Sequence, residues 1–248
     1  MIQIKCAAGH GDPAGDHSSH GQSPQKGAAM PLQLYAHRFS SYCQKVLIAL
    51  YENGIAFEWR VLTPDDAVTD AEFTALWPIR RFPLLRDGER TAVESGIIIE
   101  YLDRHYPGTA PLIPVDADTA LEARAMDRFF DHYVHTPLQK IVFDSLRPAA
   151  DRDPYGVKEA RALLDTAYAW LERKLAGRHW ATGGDFSLAD CSAAPALFYA
   201  DWTHRIPASC INVTAYRQRL LARPSFARAV DEARPYRPYF PLGAPDRD

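Results

Sequence analysis

A chain of 248 residues, 47% apolar and 24% charged, can bury one large core or two modest ones without disulfide or metal staples. Its formal net charge of −3 provides no global attraction to nucleic acid or anionic lipid, and no apolar stretch reaches the roughly 18 residues that a membrane helix needs. The four cysteines, Cys6, Cys43, Cys191 and Cys210, form neither a CxxC pair nor a zinc spacing, so a reducing compartment, the cytoplasm, is expected. Residues 1–30 read as a disordered leader. Ala7 to Ala29 is rich in Gly, His, Ser and Pro, and His10, His17 and His20 suit a solvated tail better than a metal site. Met30 stands directly before the first patterned segment.

Over residues 31–108 short strands alternate with helices. Leu32 to Tyr35 predicts a strand, and Ser41 to Tyr51 a helix with Val46, Leu47, Ala49 and Leu50 on its apolar face, stopped at Asn53-Gly54. Phe57 to Leu62 reads as a second strand, parallel to the first across a right-handed crossover. A helix around Asp65–Leu76 follows. Pro83 to Arg86 and Thr91 to Val93 then read as a hairpin about Asp87-Gly88, with a closing helix from Ser95 to Tyr106. The order βαβαββα is the thioredoxin-like α/β arrangement of one sheet with helices packed against it.

Pro107, just before it, and Pro111 and Pro114 within it stiffen a linker over residues 109–117, and residues 118–240 read as all-helical. Met126, Phe129, Phe130, Tyr133, Val134, Leu138, Ile141 and Val142 recur at three- and four-residue steps, giving one long helix that Pro137 should kink. Leu163, Leu164, Ala167, Trp170, Leu171 and Leu175 mark the next. Ser187-Leu188-Ala189-Asp190 opens a third with a capping-box variant of structural purpose, and a pair near Asn212–Ala222 and Pro224–Ala233 closes the bundle.

Three segments of the α/β half carry chemistry. Phe39-Ser40-Ser41-Tyr42-Cys43-Gln44-Lys45-Val46 crosses a strand-to-helix turn, where unpaired N–H groups and a partial positive charge favour an anion. Ser40 suits a helix cap, and a hydroxyl there can also donate to a thiolate. A hydrogen bond to a charged partner contributes about 1.5–3 kcal/mol and a helix terminus about 0.3–1. Together they cover the roughly 2.7 kcal/mol needed to lower a thiol pKa by about two units. The second segment is Trp77-Pro78-Ile79-Arg80-Arg81-Phe82-Pro83, and the third Val93-Glu94-Ser95-Gly96-Ile97-Ile98, an acidic residue and a serine at another helix start.

In this order the segments resemble the glutathione S-transferase family. Ser40-Ser41-Tyr42-Cys43 stands where thioredoxin-like proteins carry CxxC and glutaredoxins CPYC, with serine replacing the attacking cysteine, as in the serine-type theta and zeta classes. The second segment is similar to the family's NPxGKVP, with Arg80-Arg81 in place of Gly-Lys, and the third to its ES-x-x-I. The resemblance spans Leu32 to Pro238. It implies that Ser40 stabilises the thiolate of glutathione and that Phe82, before a cis Pro83, pairs its backbone with the cysteinyl unit. It implies further that Arg81 lies within reach of the tripeptide, that Glu94 accepts from the γ-glutamyl ammonium, and that Ser95 holds the carboxylate. A small electrophile is expected between the domains against Phe39, Phe130, Tyr133, Val134 and Trp202. The family also implies a homodimer with glutathione as co-substrate. His132 and His135, three apart on a helix, lack a completing ligand, so no metal is expected. Two other readings stay open: a non-catalytic glutathione-binding or interaction protein of the same fold, and a zeta-like isomerase. The pair Ser40-Ser41 suits the isomerase, whereas Tyr42 and Gln44 depart from its signature.

Overall fold

The computed structural model describes residues 31–248, so the leader with its three histidines lies outside the described residues. Strands β1 (Gln33–Ala36), β2 (Glu58–Val61), β3 (Leu84–Asp87) and β4 (Arg90–Val93) form one sheet in the order β2-β1-β3-β4. β1 and β2 are parallel, joined through α1 (Ser41–Glu52), and β1–β3 and β3–β4 are antiparallel. α2 (Ala67–Leu76) leads to β3, and α3 (Ser95–His105) follows β4. The βαβαββα order is therefore the one expected. Central strand β1 is buried on both faces, which explains its apolar run. Leu34 and Ala36 join the main core with α1 and α3, while Tyr35 packs on the opposite face against Phe73 of α2. Gly88, at φ +57°, makes the hairpin turn that a side chain would disfavour.

The rest is helical: α4 (Ala117–Phe129), α5 (Thr136–Ser145), α6 (Pro154–Lys174), α7 (Leu188–Thr203), α8 (Ile211–Leu221) and α9 (Pro224–Ala233). Among the described residues no helix is long and apolar enough to cross a membrane. The kink expected at Pro137 takes a particular form. Residues Phe130–His135 are a π-helical stretch between α4 and α5, and the Thr136 N–H donates five residues back to the Asp131 carbonyl. Proline has no N–H, and its ring crowds the carbonyl four residues earlier, so the turn before it widens. The Thr136 hydroxyl donates to the same Asp131 carbonyl at 3.0 Å.

α7 is the central post, with every residue except Trp202 buried. Small residues such as Ala189, Ala193 and Ala196 let α1 and α4 approach it from two sides. Its Asp190 is a buried hub. The carboxylate accepts from the N–H groups of Ser187 and Ala181, both at 2.9 Å, and from the Tyr216 hydroxyl at 2.6 Å. The expected capping box of Ser187 and Asp190 is thus present, tied into the wider bundle.

The two halves meet over one continuous core and one ionic cluster. Lys45 of α1 is 1% exposed, and its ammonium pairs with Asp127 and contacts both carboxylate oxygens of Asp131 at 3.1 Å. Gly96, in the first turn of α3, keeps room for this contact: a Cβ there would lie 2.8 Å from both Asp127 and Arg128. After α9 a 3₁₀ stretch, Arg234–Tyr239, leads into a tail held by Phe240 in the core and by charge. The Asp248 carboxylate accepts from Arg234 at 2.6 Å and Arg237 at 3.0 Å, and Arg247 pairs with Asp201 of α7.

Candidate active site

The starts of α1 and α3, the segment before β3, the α4–α5 region and the tail at Tyr239–Pro241 enclose a cleft of about 770 Å³. Phe39, Ser40, Arg81, Phe82, Pro83, Glu94 and Ser95 all line it. Ser40 is the N-cap of α1, with extended backbone (φ −98°, ψ 123°), and its Oγ accepts from the Cys43 N–H at 3.4 Å. The loop before it is stitched in place. His37 Nδ1 accepts from the Phe39 N–H at 3.1 Å, Gln44 donates to the Arg38 carbonyl at 3.2 Å, and the Arg38 guanidinium lies over Trp59. Cys43 points into the core. Burial pushes its thiol up to about 12, which leaves it a poor nucleophile near neutral pH.

The Phe82–Pro83 bond is cis. Arg80, at the position where the motif it resembles carries glycine, has φ 57°, the left-handed region that glycine prefers. Arg80 is anchored by Asp70 at 2.6 Å, while Arg81 is exposed at the rim. Glu94 also has positive φ, 68°, with ψ 118°, and makes no side-chain cap to α3. Such a conformation costs on the order of 1–3 kcal/mol and is held only where the surroundings impose it, commonly at ligand sites. It leaves the Glu94 side chain on the cleft wall, beside the first residue of α3, Ser95.

The expected electrophile pocket needs correction. Phe130 and Val134 are 0% exposed and belong to the core, because the apolar stripe of the long helix packs inward. Tyr133 is 51% exposed but lies outside the cleft, against Phe129. Trp202 lines a small separate apolar cavity that shares Phe39 and Tyr199 with the cleft. The face that does line the cleft carries Arg128, Asp131, His132, Thr136, Gln139 and Phe143, also at helical spacing. Their three- and four-residue steps were available in the sequence, yet a mostly polar stripe reads as solvated. Tyr199, Tyr239 and Phe240 come from distant segments and had no local signal. Among the described residues no group of three or more His, Cys, Asp or Glu could hold a metal. His135 reaches Ser41 instead, its Nε2 within hydrogen-bonding distance of the hydroxyl.

Residues 34–110 match the model of the glutathione S-transferase N-terminal domain, and residues 148–219 that of the C-terminal domain. Human glutathione S-transferase theta-1 is 31% identical over 195 residues, 73% of this chain and 76% of the relative. The chain belongs to the glutathione S-transferase family. Glutathione S-transferase GstB of Escherichia coli is 26% identical over 208 residues, covering 80% of this chain and 97% of that one. A crystal structure of a glutathione S-transferase from Methylobacterium radiotolerans, described as a complex with glutathione sulfonate, superposes with a TM-score of 0.70. It is 29% identical and covers 80% of this chain and 94% of its own. The glutathione S-transferase fold, an α/β domain followed by a helical one, is thus common to these relatives and to this chain.

Proposed function

We propose that the protein is a glutathione transferase that ionises the thiol of glutathione for attack on a small, largely apolar electrophile. The observation that carries this reading is the convergence of seven expected residues on one interdomain cleft, between the N-termini of α1 and α3. The sulfur sits at the start of α1, where the Ser40 hydroxyl donates to the thiolate and the helix terminus adds positive potential. Phe82 pairs its backbone with the cysteinyl unit, and Arg81 offers its guanidinium to a carboxylate of the tripeptide. Glu94 accepts from the γ-glutamyl ammonium, and Ser95 donates N–H and hydroxyl to the γ-glutamyl carboxylate. Phe39, Leu138, Val142, Phe143 and Phe240 form the apolar side of the cleft, where the electrophile binds. The thiol proton leaves to solvent, sulfur forms a bond to the electrophilic carbon, and the leaving group departs with its bonding pair.

The relative from Methylobacterium radiotolerans, crystallised with glutathione sulfonate, supports the choice of ligand. We further propose a homodimer in which exposed Ile97 of α3 and Leu121 of α4 are covered by a second copy. The test is retention on immobilised glutathione, followed by conjugation of an activated aryl halide. Retention with turnover is expected. Retention without turnover would point to the binding protein, and no retention would sink both.

A further inference from the structure

Ser41 and His135 have no part in the reaction as described above. Ser41 is the first residue of α1 and lines the cleft next to Ser40. Its Oγ meets Nε2 of His135, which reaches across the domain boundary from the π-helical stretch. The imidazole is 1% exposed and stacks on Tyr42, with ring centroids 4.4 Å apart. Its other nitrogen, Nδ1, is buried and has no hydrogen-bond partner among the described residues.

These contacts select a tautomer. A buried N–H without an acceptor is rarer than an unused acceptor lone pair, so the ring proton belongs on Nε2 and not on Nδ1. Burial, reinforced by the Lys45 ammonium, pushes the imidazole down to about 3, so the ring stays neutral and carries only that proton. Nε2–H therefore donates to Ser41 Oγ. The Ser41 O–H makes no other hydrogen bond among the described residues and is left for the cleft.

We propose that Ser41 is a second hydroxyl donor to the sulfur of glutathione, with His135 as the positioning residue that orients it. This rests on the reading of the cleft as a glutathione site. A hydroxyl that accepts from one donor is polarised and donates more strongly itself. Ser40 is already engaged as the helix cap, whereas the cap makes no use of Ser41. Two neighbouring hydroxyls then share one anion.

The test titrates the ultraviolet thiolate absorbance of glutathione bound to the wild type, Ser41→Ala, Ser41→Thr, His135→Met, His135→Gln and Ser41→Ala/His135→Met. The charged groups facing this region are the same in all of them: Lys45 on α1, Arg128 on α4, Asp131 on the π stretch, and Arg81 and Glu94 across the cleft. Ser41→Ala should raise the bound thiol pKa by about one unit, a tenfold change in the thiolate equilibrium, with little change in Kd. His135→Met should shift it the same way, and the double variant should go no further than Ser41→Ala, because His135 acts through Ser41. His135→Gln, which can supply an N–H at a similar place, should restore the low value. If the histidine variants fail to fold, Ser41→Ala against Ser41→Thr, which keeps the hydroxyl, decides alone. A wild-type thiol pKa in Ser41→Ala with glutathione bound overturns the proposal and leaves the reading of the cleft intact. No glutathione binding, or no depressed thiol pKa, in the wild type overturns both.

Discussion

At Ser40 one oxygen accepts from the Cys43 N–H as a helix cap, and that contact does not use the hydroxyl proton. Ser95, at the other helix start, meets the opposite end of the ligand in the proposed complex. The two serines should therefore separate kinetically. Ser40→Ala is expected to raise the bound thiol pKa and cut turnover about tenfold or more with glutathione affinity nearly kept; Ser95→Ala should weaken affinity about tenfold and leave the thiol pKa alone. Overlapping pH–rate profiles for wild type and Ser40→Ala would remove Ser40 from the mechanism. His135 allows a second expectation, about stability. Its native ring stays neutral down to about 3, whereas the unfolded ring protonates near its ordinary value of 6.5. The unfolded chain then binds the extra proton, so below pH 6.5 this residue should cost the native state about 1.4 kcal/mol per pH unit. Urea unfolding of His135→Gln between pH 7 and about pH 5 should show a shallower loss than wild type; equal slopes would contradict the buried neutral ring.

Among the elements, α1 and the α4–π–α5 unit are joined by Lys45, Asp127 and Asp131. Removing one member of such a buried set leaves an uncompensated charge, so Lys45→Met should destabilise the fold by about 3–5 kcal/mol in urea unfolding. A loss under about 1 kcal/mol would mean that water reaches the carboxylates. This cluster also marks where sequence reading stops. The strands, α1, α3 and the three motifs are legible because turn residues and periodicity are local, and Gly88 or Ser187 shows its purpose within a few residues. Pro137 announces a break, but its π-helical form involves Asp131, whose carboxylate is held by a lysine 86 positions away. Apolar periodicity reports that Phe130 and Val134 are buried without saying against what, so the same stripe suggests both a pocket wall and a core. Arg80 at a glycine position looks like a departure in sequence, yet its backbone lies in the left-handed region that glycine favours.

At the scale of the whole molecule, one hydrophobic core runs from the sheet through α1 into α7 and the bundle. The α/β half therefore depends on the helical half for its burial. A second copy over Ile97 and Leu121 would extend that burial to the α3–α4 face. Light scattering should give twice the chain mass, and a monomeric mass would remove the proposed dimer. The tail has two anchorages, the first being Phe240, which is 7% exposed and belongs to that core. Tyr239, Phe240 and Pro241 form one side of the cleft mouth, yet the segment beyond them is fastened by partly exposed charges on Arg234, Arg237 and Asp248. Exposed ion pairs fade as added salt shortens the Debye length to about 3 Å near 1 M. Concentrated brine should therefore free the chain end around Asp248, while Phe240, wedged by burial, holds its side of the entrance in place.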